Sequence, residues 1–81
     1  MRKCVGNIEL NGKRLDYYVF GSQKVGYGVE ITETYMEKAD HIVSPSLEKA
    51  LILAQELQHG SVFPANLNEI IEDFEYGNNM D

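Results

Sequence analysis

The chain is poor in cysteine, proline and basic residues, and it contains no tryptophan. Cys4 is its one cysteine, so no intramolecular disulfide can form, and a reducing compartment such as the cytoplasm is expected. Seven Lys and Arg stand against 13 Asp and Glu, for a net charge of −6. Because affinity for nucleic acids and anionic membranes depends on Lys and Arg, this balance argues against both as partners.

Long hydrophobic runs are absent as well. No stretch approaches the roughly 18 apolar residues of a membrane-spanning helix. Met-Arg-Lys at the N-terminus leads into alternating residues and lacks the apolar core of a signal peptide. With 81 residues, 43% of them hydrophobic and 25% charged, the composition is typical of one globular domain. We expect a complete small protein, although an excised domain would have the same appearance.

Asn11-Gly12 predicts a tight hairpin, because a two-residue type I′ turn needs positive φ at both central residues. Pairing Leu10 with Lys13 then sets the register of the first two strands. One face becomes apolar, with the pairs Ile8–Leu15, Gly6–Tyr17 and Cys4–Val19. The other face is mostly polar and includes the pair Val5–Tyr18. A one-residue slip would destroy this separation.

A second turn is predicted at Gly21-Ser22-Gln23, as a three-residue loop that sets Phe20 opposite Lys24. In this register Val19 opposes Val25, and the odd-numbered residues of the third strand join the apolar face. Residues 37–40 are predicted as a loop. His41-Ile42-Val43 is compatible with a short fourth strand or with a lead into a helix.

Two amphipathic helices are predicted in the second half of the chain. The first has Ser44 as its N-cap with Pro45 at the first helical position, and it ends at Gly60 in a left-handed conformation. Its apolar residues recur at helical spacing, at Leu47, Ala50, Leu51, Ala54 and Leu57. The second is predicted to be capped by Asn66 and to end at Gly77, with a buried stripe of Leu67, Ile70, Ile71 and Phe74.

The fold class expected from these elements is α+β. It is a three-stranded antiparallel meander, with the option of a short fourth strand, and the two C-terminal helices pack on one face. A single domain is predicted over residues 1–77, followed by a frayed tail over residues 78–81.

Residues that could carry catalysis or hold a metal are few and scattered. Cys4, His41 and His59 lie far apart and show no Cys-x-x-Cys or His-Glu-x-x-His spacing. Cys4 is predicted to be a core side chain facing Val19, and His59 to interact with the dipole of the helix that it ends. We therefore expect no catalytic residue, no cofactor and no metal, and a protein that is not an enzyme.

Other residues form a candidate interaction surface. Gly26 and Gly28 would leave a flat strip on the third strand that an aromatic side chain or another backbone could approach, although a bulge or a tolerant solvent-exposed face is the simpler explanation. Tyr18 is the main aromatic side chain that the predicted register leaves exposed. The second helix carries acidic residues that are either simply solvated or a surface for a basic partner, at Glu69, Glu72 and Glu75.

Two segments carry a resemblance to a known family. They are Tyr27-Gly28-Val29-Glu30-Ile31 in the third strand and the closing stretch from Phe63-Pro64-Ala65-Asn66 to Asp73-Phe74, with a helix between them. In these the chain resembles a family of small proteins from clostridia and related Firmicutes that is catalogued as a domain of unknown function. The resemblance covers roughly residues 15 to 75. It implies a bacterial cytoplasmic protein and brings no activity, ligand or site residue.

Three functions remain as hypotheses. The first is a non-enzymatic protein-interaction or regulatory module that binds a protein partner or a second copy of itself, through the first strand or the glycine strip. The second is a small-molecule-binding or catalytic domain with a site between helices and sheet, near His41 or His59. The third is an acidic decoy whose second helix occupies a basic site on another protein.

Overall fold

Four strands followed by two helices make up the computed structural model of the chain, which describes residues 1–34 and 37–79, with residues 74–79 as backbone only. The strands are β1 (Arg2–Leu10), β2 (Lys13–Ser22), β3 (Gly26–Glu33) and β4 (Lys38–Ser44). The helices are α1 (Leu47–His59) and α2 (Leu67–Asn79), and a 3₁₀ turn (Pro64–Asn66) precedes the second.

The strands form one antiparallel meander in the order β1-β2-β3-β4. Helix α1 packs across β1, β2 and β3, and α2 packs against β4. The α+β prediction is confirmed, and the fourth strand is present. It begins at Lys38, so the loop predicted over residues 37–40 is wrong for Lys38–Asp40.

The first hairpin confirms the predicted turn. Asn11 and Gly12 have φ values of 54° and 79°, as a type I′ turn requires. The predicted pairing holds from Leu10–Lys13 as far as Gly6–Tyr17, and then a bulge at Val5 shifts the register. Beyond the bulge Cys4 pairs with Tyr18 instead of Val19. The extra residue in the bulge reverses the face to which the side chains before it project. The prediction of a core Cys4 is therefore wrong, and the Cys4 side chain is exposed.

The second hairpin differs from the prediction by four residues along β3. Val19 pairs with Val29 instead of Val25, and the turn lies at residues 23–25. Val25 is therefore 66% exposed in the turn, while Val29 is fully buried. Gly26 closes the turn with a φ of 92°, a conformation that favours glycine. An even shift keeps the same residues on the same face, so the apolar pattern could not distinguish the two registers.

Helix α1 begins two residues later than predicted, and its left-handed C-terminal residue lies one position after the predicted one. Its N-cap is Ser46 rather than Ser44, and the Ser46 hydroxyl accepts a hydrogen bond from the Lys49 amide at 3.4 Å. At the other end Gly60 has a right-handed φ of −85°, and the left-handed residue is Ser61 at 54°. The amide of Val62 donates to the Leu57 carbonyl, which completes a Schellman-type end.

Helix α2 begins at Leu67 as predicted, but it continues through Gly77 to Asn79. Leu67 and Ile71 are buried and Ile70 is partly buried, so the predicted stripe faces the core. The side chain of Phe74 and the tail residues 80–81 lie outside the described part of the chain.

The core fills the space between the sheet and the two helices. The sheet contributes the buried side chains of Leu15, Tyr17, Val29 and Ile31, and the helices contribute Leu53, Ala54, Leu57, Leu67 and Ile71. The Tyr17 hydroxyl donates a 2.8 Å hydrogen bond to the Val62 carbonyl, which ties the sheet to the segment between the helices. The opposite face of the sheet carries neither helix.

Candidate functional site

The sheet face without a helix, here called the open face, is defined by the even-numbered residues of β2 and their neighbours in register. Residues opposite one another in adjacent strands project to the same side of a sheet. The register therefore places three rows of four on this face, namely Arg2–Phe20–Gly28–Ile42, Cys4–Tyr18–Glu30–Asp40 and Asn7–Asp16–Thr32–Lys38. Glu9 and Arg14 form a shorter fourth row.

A charged and aromatic cluster lies at the centre of the open face. The Arg2 guanidinium stacks on the Tyr18 ring, with its Cζ 3.7 Å from the ring centroid. It also donates to both carboxylate oxygens of Glu30, at 3.2 Å through Nε and at 2.6 Å through Nη2. Thr32 donates a third hydrogen bond to Glu30 at 2.8 Å. The bidentate ion pair with Glu30 and the stacking on Tyr18 together hold the Arg2 side chain of β1 against β2 and β3.

Hydrogen bonding to Arg2 holds the pKa of Glu30 below its ordinary value, and burial opposes that shift. Glu30 is 6% exposed, which is unusual for a carboxylate on a sheet face without a covering layer. The charge is therefore compensated inside the molecule and is not offered to a ligand.

Three partly exposed apolar or aromatic side chains lie within or beside this cluster. Tyr18 and Phe20 are partly buried, and Ile42 is 43% exposed. The sequence pattern predicts Tyr18 as an exposed side chain, but it does not identify Phe20 or Ile42 as surface residues. Phe20 lies at an even position of β2. The predicted alternation of faces places even positions on the side of the sheet without helices, so the sequence contains enough information to identify Phe20 as a surface residue. Ile42 was not identifiable because the existence of β4 was left open.

The glycine strip is not an open surface. Gly26 and Gly28 are both buried. A Cβ on Gly28 would overlap the His41 carbonyl and lie 2.9 Å from the Ile42 Cα, because β4 crosses close by where its register shifts. The approaching backbone that the glycines accommodate is therefore β4 of the same chain, and the strip is unavailable to a partner.

The acidic residues of α2 lie in the other layer. Glu69 and Glu72 are exposed on α2, which packs against β4 on the helical side. The side chain of Glu75 lies outside the described residues. Glu69 and Glu72 therefore lie in a different layer from Tyr18 and do not form one surface with it.

The two histidines occupy different surroundings. His41 pairs with Val29 and so faces the helical layer, where it is partly buried and has an interaction partner in the fold. His59 is exposed at the end of α1. Among the described residues no three His, Cys, Asp or Glu side chains come together as metal ligands.

A shallow groove lies at the end of the sheet where β2 turns into β3. It has a volume of about 400 Å³ and runs between residues 23–26 and residues 42–45. Neither histidine lines it. Ile42 belongs both to this groove and to the open face, so the two surfaces are continuous.

The free edge of the sheet at β1 is guarded. In a two-residue hairpin that pairs Leu10 with Lys13, the backbone groups of Asn7 point away from β2. The Asn7 carbonyl accepts a hydrogen bond from the Gln58 amide of α1 at 3.4 Å. The end of the Gln58 side chain occupies the space that a Cβ on Gly6 would take, so glycine at position 6 lets this contact form. Together with the bulge at Val5, this contact makes β1 a poor template for another strand.

Comparison with known proteins adds one finding. The model of a family of unknown function, DUF6514, matches residues 3–75. The chain belongs to this family. No curated protein and no solved structure matches it significantly. Membership in DUF6514 agrees with the resemblance drawn from the two sequence segments, and it assigns no activity, ligand or site residue. Neither described helix is long and apolar enough to cross a membrane.

Proposed function

We propose that this protein is a non-enzymatic protein-interaction module, acting in a bacterial cytoplasm, that binds through the open face of its sheet. The observation that supports the proposal is that two helices cover one face, while the other presents Tyr18, Phe20 and Ile42 partly exposed. Aromatic side chains and arginine are enriched at the centres of protein interfaces, and here Arg2 already stacks on Tyr18.

The internal charge pairing of this face suits binding to a protein. Arg2 is paired with Glu30, and Nε of Arg14 lies 3.2 Å from Oδ1 of Asp16. A partner that covers these pairs leaves no charge buried without a counter-charge, which is the costly outcome at interfaces. The first strand is less suitable because Gln58 and the bulge guard its edge.

The test uses two variants matched in chemistry and exposure. Ile42→Glu places a carboxylate on the open face, and Ile52→Glu places one on α1, where the side chain is 47% exposed against 43% for Ile42. Each tagged protein is cross-linked in lysate of the native host, and the captured proteins are compared. We expect one partner set to be lost with Ile42→Glu and retained with Ile52→Glu.

Equal capture by wild type and both variants would contradict the proposal, because binding would then not depend on the open face. Circular dichroism melting of each variant shows that the chain is folded during capture. Loss of capture with Ile52→Glu alone would place the interface on the helical layer instead.

A further inference from the structure

The dimensions of the molecule set the size of partner that the open face can accept. The Cα positions extend over 39 × 26 × 17 Å, and the shortest dimension accommodates one sheet and one helical layer. The broad side is at most 39 × 26 Å, a rectangle of about 1,000 Å². Since a standard interface buries roughly 800 Å² on each partner, a stable complex must use most of this face. A partner that fits it is another broad, flat surface.

Charge narrows the choice of partner. The whole chain carries a net charge of −6. On the open face three basic residues stand against four acidic ones, for a local net charge of −1: Arg2, Arg14 and Lys38 against Glu9, Asp16, Glu30 and Asp40. Neither a polyanion nor a strongly basic protein would gain much electrostatic binding energy on a face that is nearly neutral. Two copies of this chain, which repel each other elsewhere, meet with the least repulsion through this face.

The twist of the sheet also favours a second copy of the chain as the partner. Two sheets stack face to face when their twists match, with strands about 30° apart and the layers about 10 Å apart. A second copy has the same twist, and a two-fold axis through this face sets the apolar side chains of one copy against those of the other, as isologous interfaces do. Phe20 and Ile42 lie in one row of the face, so a two-fold contact concentrates four such side chains.

We infer that the occupant of the open face is a second copy of this chain, which gives a two-fold dimer with two stacked four-stranded sheets. This inference rests on the proposed function and specifies its partner. Edge-to-edge pairing through β1 is disfavoured by the Gln58 contact and the bulge, so the stacked arrangement is preferred to an eight-stranded sheet joined at β1.

The experiment is sedimentation equilibrium of the full chain from micromolar to millimolar concentration, with Ile42→Glu and Ile52→Glu beside the wild type. We expect a wild-type monomer–dimer equilibrium, a dissociation constant at least about tenfold higher for Ile42→Glu, and no change for Ile52→Glu. A wild type that remains monomeric throughout, or a dimer that Ile52→Glu alone disrupts, would overturn the inference.

Concentration-dependent amide shifts in the wild type map the contact without any substitution. We expect the largest shifts at Tyr18, Glu30 and Thr32, and small ones along α1. Shifts confined to the helices would refute the stacked dimer even if the protein were dimeric. If the wild type is monomeric but capture from lysate still depends on Ile42, the proposed function stands and its partner is another protein. If neither dimer nor Ile42-dependent capture is found, both proposals fail.

Discussion

At the scale of single residues, Gly28 is a position where the fold leaves no room for a side chain. A Cβ there would overlap the His41 carbonyl, and a backbone oxygen held in a strand cannot move aside cheaply. We expect Gly28→Ala to lower the free energy of unfolding by at least about 2 kcal/mol, as forced overpacking does. Urea unfolding followed by circular dichroism measures this change.

Gly60→Ala is the matched control. Gly60 has an ordinary φ of −85°, and a Cβ there would lie 3.4 Å from its nearest neighbour, the Glu56 carbonyl. The free energy of unfolding should change by less than about 0.5 kcal/mol, or rise slightly. If the two substitutions cost the same, the close approach of β4 to Gly28 is not a constraint on the fold.

Tyr17 supports a prediction about alkaline pH. Burial raises the pKa of Tyr17 to about 12, above its ordinary value of 10.0. Because the folded state holds the phenolic proton more tightly, its contribution to stability is complete below pH 10 and is lost as the pH rises toward 12. Thermal melts across this range should show a falling melting temperature.

Tyr17→Phe separates the two roles of the phenol. At neutral pH the variant should be less stable by about 1 kcal/mol, since it loses the hydrogen bond to Val62. Above pH 10 its melting temperature should fall less steeply than that of the wild type. Tyr27→Phe, at a partly exposed position, serves as the control and should leave the alkaline slope unchanged. A wild-type slope in Tyr17→Phe would assign the pH dependence to other groups.

At the scale of elements, substitutions at Ser46 test whether this residue is the N-cap of α1. Ser46→Ala should destabilise the protein by about 1 kcal/mol, because the Lys49 amide loses its acceptor. Ser46→Asp should retain nearly full stability, since aspartate is an equally good cap. Chemical denaturation of both variants measures their free energies of unfolding. Equal losses of stability in the two variants would show that the loss does not come from a missing acceptor at the N-cap.

The elements also show what sequence reasoning can and cannot reach. Asn11-Gly12 predicts its hairpin correctly because the turn's positive φ values are a property of those two residues. The predicted second turn, at residues 21–23, lies two residues before the observed one at residues 23–25. Both turn positions keep the odd residues of β3 inward, and only the full length of the β2–β3 pairing, from Leu15–Glu33 to Ser22–Gly26, favours the observed one.

The open face was partly foreseen. Tyr18 was expected on the exposed side of the sheet, and it is there. The glycine strip was expected there too, but Gly28 is buried against β4, an element whose existence local pattern left undecided. Cys4 was assigned to the wrong face because the bulge at Val5 has no local signature beyond the neighbouring Gly6.

At the scale of the whole molecule, net charge predicts a response to salt. With a charge of −6, the folded chain repels itself over distances of up to 39 Å. Screening shortens from about 30 Å at 0.01 M salt to about 8 Å at 0.15 M. The melting temperature should therefore rise between these two conditions.

Glu72→Lys tests the origin of that rise. Glu72 is exposed on α2, and the substitution changes the net charge from −6 to −4. The variant should show a smaller increase of melting temperature with salt than the wild type. An unchanged or larger increase would mean that specific ion binding, rather than general repulsion, produces the effect.

The sequence by itself determined the elements whose causes are local. These are the type I′ turn, the apolar stripe of α2, and the alternation that separates the two faces of β2. The tertiary structure decided what lies against what. The packing of Gln58 over Gly6, the bulge beside it, and the closure of Gly28 by β4 all depend on contacts between residues distant in sequence. Periodicity records which side of an element is apolar, but it does not record which neighbour covers it, and that is why the open face emerged only from the assembled sheet.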